Sequence, residues 1–123
     1  MENCYIYIYL DQRYSGTWQY KDLIFNYRPF YVGKGSGKRL DSHLRESSLK
    51  RTSFKNSIIK AIKNDLDETP LHYKIYENLC EEEAFLIEEE LINHFGRLDI
   101  KTGILANHTN GGIGANKIFL PKE

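Results

Sequence analysis

Cysteine is scarce in this chain. Only Cys4 and Cys80 occur in 123 residues, too few for a disulfide scaffold and at no spacing that suits a structural metal. Two buried thiols in a reduced, cytoplasmic protein are expected instead. Long apolar runs are absent as well, which excludes a membrane-spanning helix. The N-terminus enters an alternating apolar segment directly, without the basic and then hydrophobic regions of a secretory leader. There are no internal repeats, no low-complexity tracts, no zinc-finger spacing and no helix-turn-helix pattern. Excess charge of either sign is also missing, with 17 basic residues against 17 acidic. Taken alone, that balance argues against a polyanionic partner. The length suffices for one hydrophobic core, so residues 1–123 are expected to form a single domain.

The charge is neutral in sum but not in distribution. Between Lys34 and Lys63 there are nine basic residues and two acids; between Asp65 and Glu90 there are ten acids and one lysine. Such a molecule can offer a basic face to phosphates while remaining neutral overall, although two solvated helix faces would give the same pattern.

The aromatic and β-branched run Tyr5 to Leu10 predicts a strand ended by Asp11. Residues Gln12 to Arg28 are mixed and predict a loop or small hairpin turning through Lys21-Asp22. Pro29 is expected to open a second strand, Phe30-Tyr31-Val32, because proline is tolerated at a strand start. Gly33, Gly35 and Gly37 then predict a turn, followed by a helix over Lys38 to Ser47. On that helix Arg39 and His43 share a face one turn apart. A second helix is predicted over Ser53 to Asn64, with Phe54, Ile58, Ala61 and Ile62 inward and Lys55, Lys60 and Lys63 outward. A third strand follows Pro70 at His72 to Glu77, with Tyr73 and Ile75 on one face and Lys74 and Tyr76 on the other. The third helix spans Glu81 to Phe95 and stops at Gly96.

Two polar residues stand out. On the third helix Ala84, Ile87, Leu91 and Phe95 define an apolar stripe, and Glu88 falls inside it. A carboxylate there must be paired, hydrogen-bonded or holding a cation, and an ion pair with Arg39 is one solution. Asn107 follows the apolar Leu105-Ala106, where an asparagine ordinarily satisfies turn backbone.

In order, Tyr5-Ile6-Tyr7, Tyr31-Val32-Gly33, Arg39, His43, Glu88 in Ile87-Glu88-Glu89-Glu90-Leu91-Ile92, and Asn107 in Leu105-Ala106-Asn107 resemble the GIY-YIG nuclease superfamily. Each motif alone is weak; in this order they are specific. The run Pro29-Phe30-Tyr31-Val32-Gly33-Lys34-Gly35 is similar to a branch with phage and bacterial members and some eukaryotic nucleases. Tyr5 stands where the superfamily has its first glycine. The gap from Tyr7 to Tyr31 is longer than usual, so residues 12–28 read as an insertion that contacts DNA or a second subunit. The resemblance implies an α+β fold: a three-stranded antiparallel sheet flanked by about three helices.

It also implies a DNA endonuclease that hydrolyses phosphodiesters with water and one divalent cation, Mg²⁺ or in its place Mn²⁺. Glu88 would hold the metal, Arg39 would clamp a non-bridging oxygen, and Tyr7 would orient or deprotonate the water. Tyr31 would position from the neighbouring strand, His43 would share proton work or bind phosphate, and Asn107 would fix substrate or site geometry. Lys34, Lys38, Lys55, Lys60 and Lys63 are the expected phosphate contacts, with Lys34 and Arg39 lowering the pKa of the Tyr7 phenol. The setting would be the cytoplasm of a bacterial cell or infected host, and cleavage of both strands would call for a homodimer.

Three rivals compete. A P-loop fails because Arg39 follows Lys38 and the glycine spacing is wrong. A non-catalytic nucleic-acid-binding module using the basic 34–63 face leaves Glu88 without a purpose. A histidine-metal nuclease on His94, Asn107 and His108 leaves Arg39 and both tyrosines unexplained.

Overall fold

In the computed structural model of the protein, residues 3–36, 53–109 and 111 are described. The predicted helix over Lys38 to Ser47, and with it Lys38, Arg39 and His43, lies outside them. The described elements are β1 (Cys4–Tyr20), β2 (Leu23–Ser36), α1 (Phe54–Leu66), β3 (Leu71–Leu79) and α2 (Glu81–Phe95). The three strands form one antiparallel sheet in the order β2-β1-β3. This is the expected α+β architecture, with two helices among the described residues.

The central strand is apolar on both faces because isoleucine and tyrosine alternate along it. Cys4, Ile6, Ile8 and Leu10 pack with Val32 and with Ala84, Leu91, Ile92 and Phe95 of α2. Tyr5, Tyr7 and Tyr9 point the other way, onto Phe30 and onto Ile59 and Ile62 of α1. Period-two alternation thus sends aliphatic side chains to one helix and phenols to the other.

β1 runs far beyond the expected end at Asp11. Asp11 pins an irregularity within the strand: its Oδ1 accepts from the backbone N–H and Nε of Arg13, both at 3.0 Å, and its Oδ2 accepts from the Arg13 guanidinium at 2.9 Å. The same guanidinium reaches Asp65 of α1 at 3.1 Å. Hydrogen bonds to Asp11 raise the Arg13 pKa above its usual value. The pairing shifts register at this point and again before Trp18, which absorbs extra residues on β1 without ending it.

Residues 12–28, read from the sequence as an insertion, form the distal half of one long hairpin. Its turn falls at Lys21-Asp22, as the sequence predicts, with Lys21 at a positive φ of 52°. The tip docks on α2: the Tyr20 hydroxyl donates to Glu90 Oε1 at 2.5 Å, and His94 Nε2 donates to the Gln19 carbonyl at 2.7 Å. Burial, reinforced by Glu90, pushes the Tyr20 phenol up, while the Tyr20 hydrogen bond holds the Glu90 carboxyl below the usual carboxylate range. A carboxyl depressed by folding contributes stability that is complete above its unfolded value of 4.5 and is lost as pH falls through the lower folded value. Glu90→Gln should therefore melt at a lower temperature near neutral pH and lose less on acidification than the wild type. Thermal melts by circular dichroism across about pH 3 to 6 check this, and equal acid sensitivity in the two proteins would contradict it.

Pro29 does not open β2 but sits within it. Leu10 pairs with Pro29 while Tyr9 pairs with Tyr31, so Phe30 is an extra residue in a bulge. Proline is acceptable here because β2 is an edge strand and the ladder is already broken. The bulge also turns Phe30 and Tyr31 toward the same tyrosine-lined face. A similar shift in β3 lies between the Ile6–Tyr76 and Tyr7–Lys74 pairs. It moves Tyr76 to the side of Ile75, against the aliphatic cluster, and not to the side of Lys74.

Both helices are capped by their own sequence. Ser53 Oγ accepts from Asn56 N at 3.1 Å at the start of α1. At α2, Cys80 Sγ accepts from Glu83 N and Glu83 Oε1 accepts from Cys80 N, a reciprocal box that gives this free cysteine a structural role. Asn56, Ile59 and Ile62 form the buried face of α1; Phe54, predicted inward, is 47% exposed.

Candidate active site

Tyr7 and Gly33 face each other across the β1–β2 ladder. A Cβ on Gly33 would lie 2.3 Å from both Cζ and the hydroxyl of Tyr7. The glycine is therefore not a turn residue, and its φ is not positive. It is the flat floor on which the Tyr7 phenol lies, and this is why the sequence predicted a turn where the strand continues to Ser36.

Around that floor the phenols cluster. Tyr7 is 1% exposed, with its ring 6.3 Å from that of Tyr31 and 5.8 Å from that of Tyr9. Tyr31 is only half-buried, and Lys55 of α1 lies over it with Nζ 5.1 Å from the ring centre. Lys55 is thus drawn onto a phenol and not left fully outward as predicted. Lys60 and Lys63 are exposed, the latter paired with Asp67 at 3.0 Å.

Asn107 is buried and binds the outer edge of β2. Its Oδ1 accepts from Val32 N at 3.1 Å and its Nδ2 donates to Val32 O at 2.7 Å. Ala106 N donates to Phe30 O at 2.6 Å. The segment 106–107 therefore covers an edge strand whose backbone would otherwise be open. It also fixes the backbone of Tyr31-Val32-Gly33 from the outer edge.

Glu88 is half-buried on the inward side of α2, between buried Ala84-Phe85 and Leu91-Ile92. Gly111, at a positive φ of 73°, packs directly on it: a Cβ there would meet Ile92 Cδ1 at 2.9 Å and Glu88 Cγ and Cδ at 3.1 and 3.2 Å. The loop that carries Asn107 to β2 thus goes on to cover Glu88. The sequence alone holds no sign of this long-range contact. Lys34 follows Gly33 but points to the other face of the sheet, with its ammonium 4.7 Å from the ring centre of Phe85, one turn before Glu88. Its ammonium thus lies beside α2, on the sheet face opposite Tyr7.

The structure thus brings Tyr7, Tyr31, Gly33 and Lys55 together on the tyrosine face. It places Glu88 and Lys34 at α2 on the aliphatic face, with Asn107 and Gly111 spanning the β2 edge between them. Among the described residues no three histidine, cysteine, aspartate or glutamate side chains converge. Of the residues of the rival histidine centre, His94 bonds the hairpin tip, His108 lies against Phe54 and Asn107 binds Val32.

The comparison that decides the family concerns almost the whole chain. A family model described as a LEM-3-like GIY-YIG domain matches residues 4–118. The chain belongs to that family. The matched range takes in Tyr7, Tyr31, Arg39, His43, Glu88 and Asn107 together. No curated protein and no solved structure gives a significant match. A LEM-3-like GIY-YIG domain is an endonuclease-type domain acting on DNA. No helix among the described residues is long and apolar enough to cross a membrane.

Proposed function

We propose that this LEM-3-like GIY-YIG domain hydrolyses DNA phosphodiesters with a water nucleophile and one Mg²⁺, for which Mn²⁺ can substitute. The observation that carries the reading is Glu88, a half-buried carboxylate on the core side of α2, covered by the loop that also holds the Tyr31-Val32-Gly33 strand. The donor type suits a hard cation: among the described residues no three histidine, cysteine, aspartate or glutamate side chains gather, and a single carboxylate leaves most of the coordination shell to water, as Mg²⁺ prefers. A bound Mg²⁺ would supply charge neutralisation at the scissile phosphate and leaving oxygen.

The remaining work falls to the chain. A water oxygen forms a bond to phosphorus as the bond to the leaving sugar oxygen breaks, and the proton lost by the water passes toward the Tyr7 phenolate. Arg39 supports that phenolate and holds a non-bridging oxygen in its fork. Tyr31 positions the attacking water, and His43 shares the proton transfer or binds phosphate. Lys34, Lys38, Lys55, Lys60 and Lys63 contact the DNA backbone. One site cuts one strand, so double-strand cleavage requires a homodimer or two visits. The Pro29 to Gly35 run favours the phage and bacterial branch of the superfamily and a cytoplasmic setting.

The test uses two isosteric variants. Tyr7→Phe keeps the ring that fills the space over Gly33 and removes only the hydroxyl. It should reduce nicking of supercoiled plasmid by about a hundredfold or more, the scale of general-base loss, in protein whose circular dichroism shows the wild-type fold. Tyr31→Phe should cost less. Full activity of purified Tyr7→Phe would remove Tyr7 from the chemistry.

A further inference from the structure

Phe54 is an apolar side chain that the core leaves out. It starts α1 and is 47% exposed, while its helix-mates Ile59 and Ile62 are buried. Its ring is nearly parallel to the imidazole of His108, at 24° with centroids 6.4 Å apart. His108 is exposed too. Stacked aromatic pairs have centroids about 4.5 to 7 Å apart. A pair at the far end of that range shares little face, so each ring leaves π-surface open to a third planar group.

Two independent neighbours place this pair beside the site. Phe54 precedes Lys55, whose ammonium lies over Tyr31. His108 follows Asn107, whose amide is bonded to both backbone groups of Val32. The loop is braced there, because Arg97 donates to the His108 carbonyl at 2.8 Å while also bonding Asp99 at 2.7 Å. Two open aromatic faces next to an exposed-side lysine and a phenol are what single-stranded nucleic acid needs: stacking for the base and a cation for the phosphate.

We infer that Phe54 and His108 form a stacking platform for an unpaired nucleobase adjacent to the phosphate that is cut. The inference rests on the nuclease reading for the identity of the ligand, DNA, and for the neighbouring phosphate being the one cut. An aromatic platform of this kind tolerates any base, so it selects for an unstacked nucleotide and not for sequence.

The experiment is a titration of a short oligonucleotide carrying a single unpaired 2-aminopurine, in EDTA so that no turnover intervenes. Stacking on the platform quenches the probe. The wild-type protein should quench it. Phe54→Ala with His108→Ala should abolish the quench and weaken binding about tenfold, the scale of one lost base stack. Phe54→Trp should keep both effects, and Phe54→Ala alone should leave the slope of affinity against salt unchanged. Phe54 is on the surface, so its variants should melt like the wild type. Unchanged quenching and affinity in the double variant would overturn the platform. Phe54-dependent quenching in a protein that never nicks plasmid would leave the platform standing and remove the proposed hydrolysis.

Discussion

Glu88→Gln should lower plasmid nicking by roughly 10²- to 10³-fold, the equivalent of several kcal/mol of charge stabilisation at the phosphate. Its melting temperature should stay within about 2 °C of the wild type, as for a substitution that conserves volume. The amide has the size of the carboxylate and keeps the contact that Gly111 makes with the side chain. What it removes is the negative charge, the only property that a hard cation at this position requires. A purely structural Glu88 would show the reverse pattern, with a lower melting temperature and residual cutting in proportion to the folded fraction. Steady-state nicking rates and melting curves on the same preparations separate the two.

Gly33→Ala should be strongly destabilising for a single added methyl. The added carbon would sit 2.3 Å from the Tyr7 ring and hydroxyl, and neither partner has room to retreat. Tyr7 is wedged between Tyr5, Tyr9 and Tyr31, and Gly33 is tied to Val32, whose backbone Asn107 holds from the far side. Overpacking of this kind costs about 3 kcal/mol, which for a chain of this size corresponds to a fall of about 10 °C in melting temperature. The cause is space and not backbone conformation, and a double-mutant cycle exposes the difference. Tyr7→Leu combined with Gly33→Ala should cost less than the sum of the two single changes, because the smaller side chain vacates the position of the new methyl. Additive effects would point to a backbone origin.

These two glycine and glutamate positions illustrate what was legible in the sequence. Glu88 was visible because helical periodicity placed a carboxylate inside an apolar stripe, and α2 runs over the predicted Glu81 to Phe95. The alternation of Ile6, Ile8 and Leu10 with Tyr5, Tyr7 and Tyr9 gave the central strand, and Lys21-Asp22 gave the hairpin turn. Gly33 was misread because a glycine in a turn and a glycine under a ring look alike until the partner strand is known. The continuation of β1 past Asp11 depended on Arg13 reaching back to Asp11 and across to Asp65, a tertiary arrangement that local propensity does not encode. A register shift defeated the face assignment of Tyr76 for the same reason: one extra residue reverses every side chain beyond it. The outward turn of Phe54 broke the expected stripe of α1, and rule-breaking at one exposed aromatic is the kind of local conflict that marks a functional surface.

The central claim is that the site of this GIY-YIG domain cuts DNA with a divalent cation. Its most direct test is incubation of the purified chain with supercoiled plasmid, in Mg²⁺ and in EDTA, scored on a gel for nicked and linear product. The account predicts nicked circles in Mg²⁺ as the first product and intact supercoils in EDTA. Equal cleavage with and without the metal, or none in either from folded protein, would contradict it.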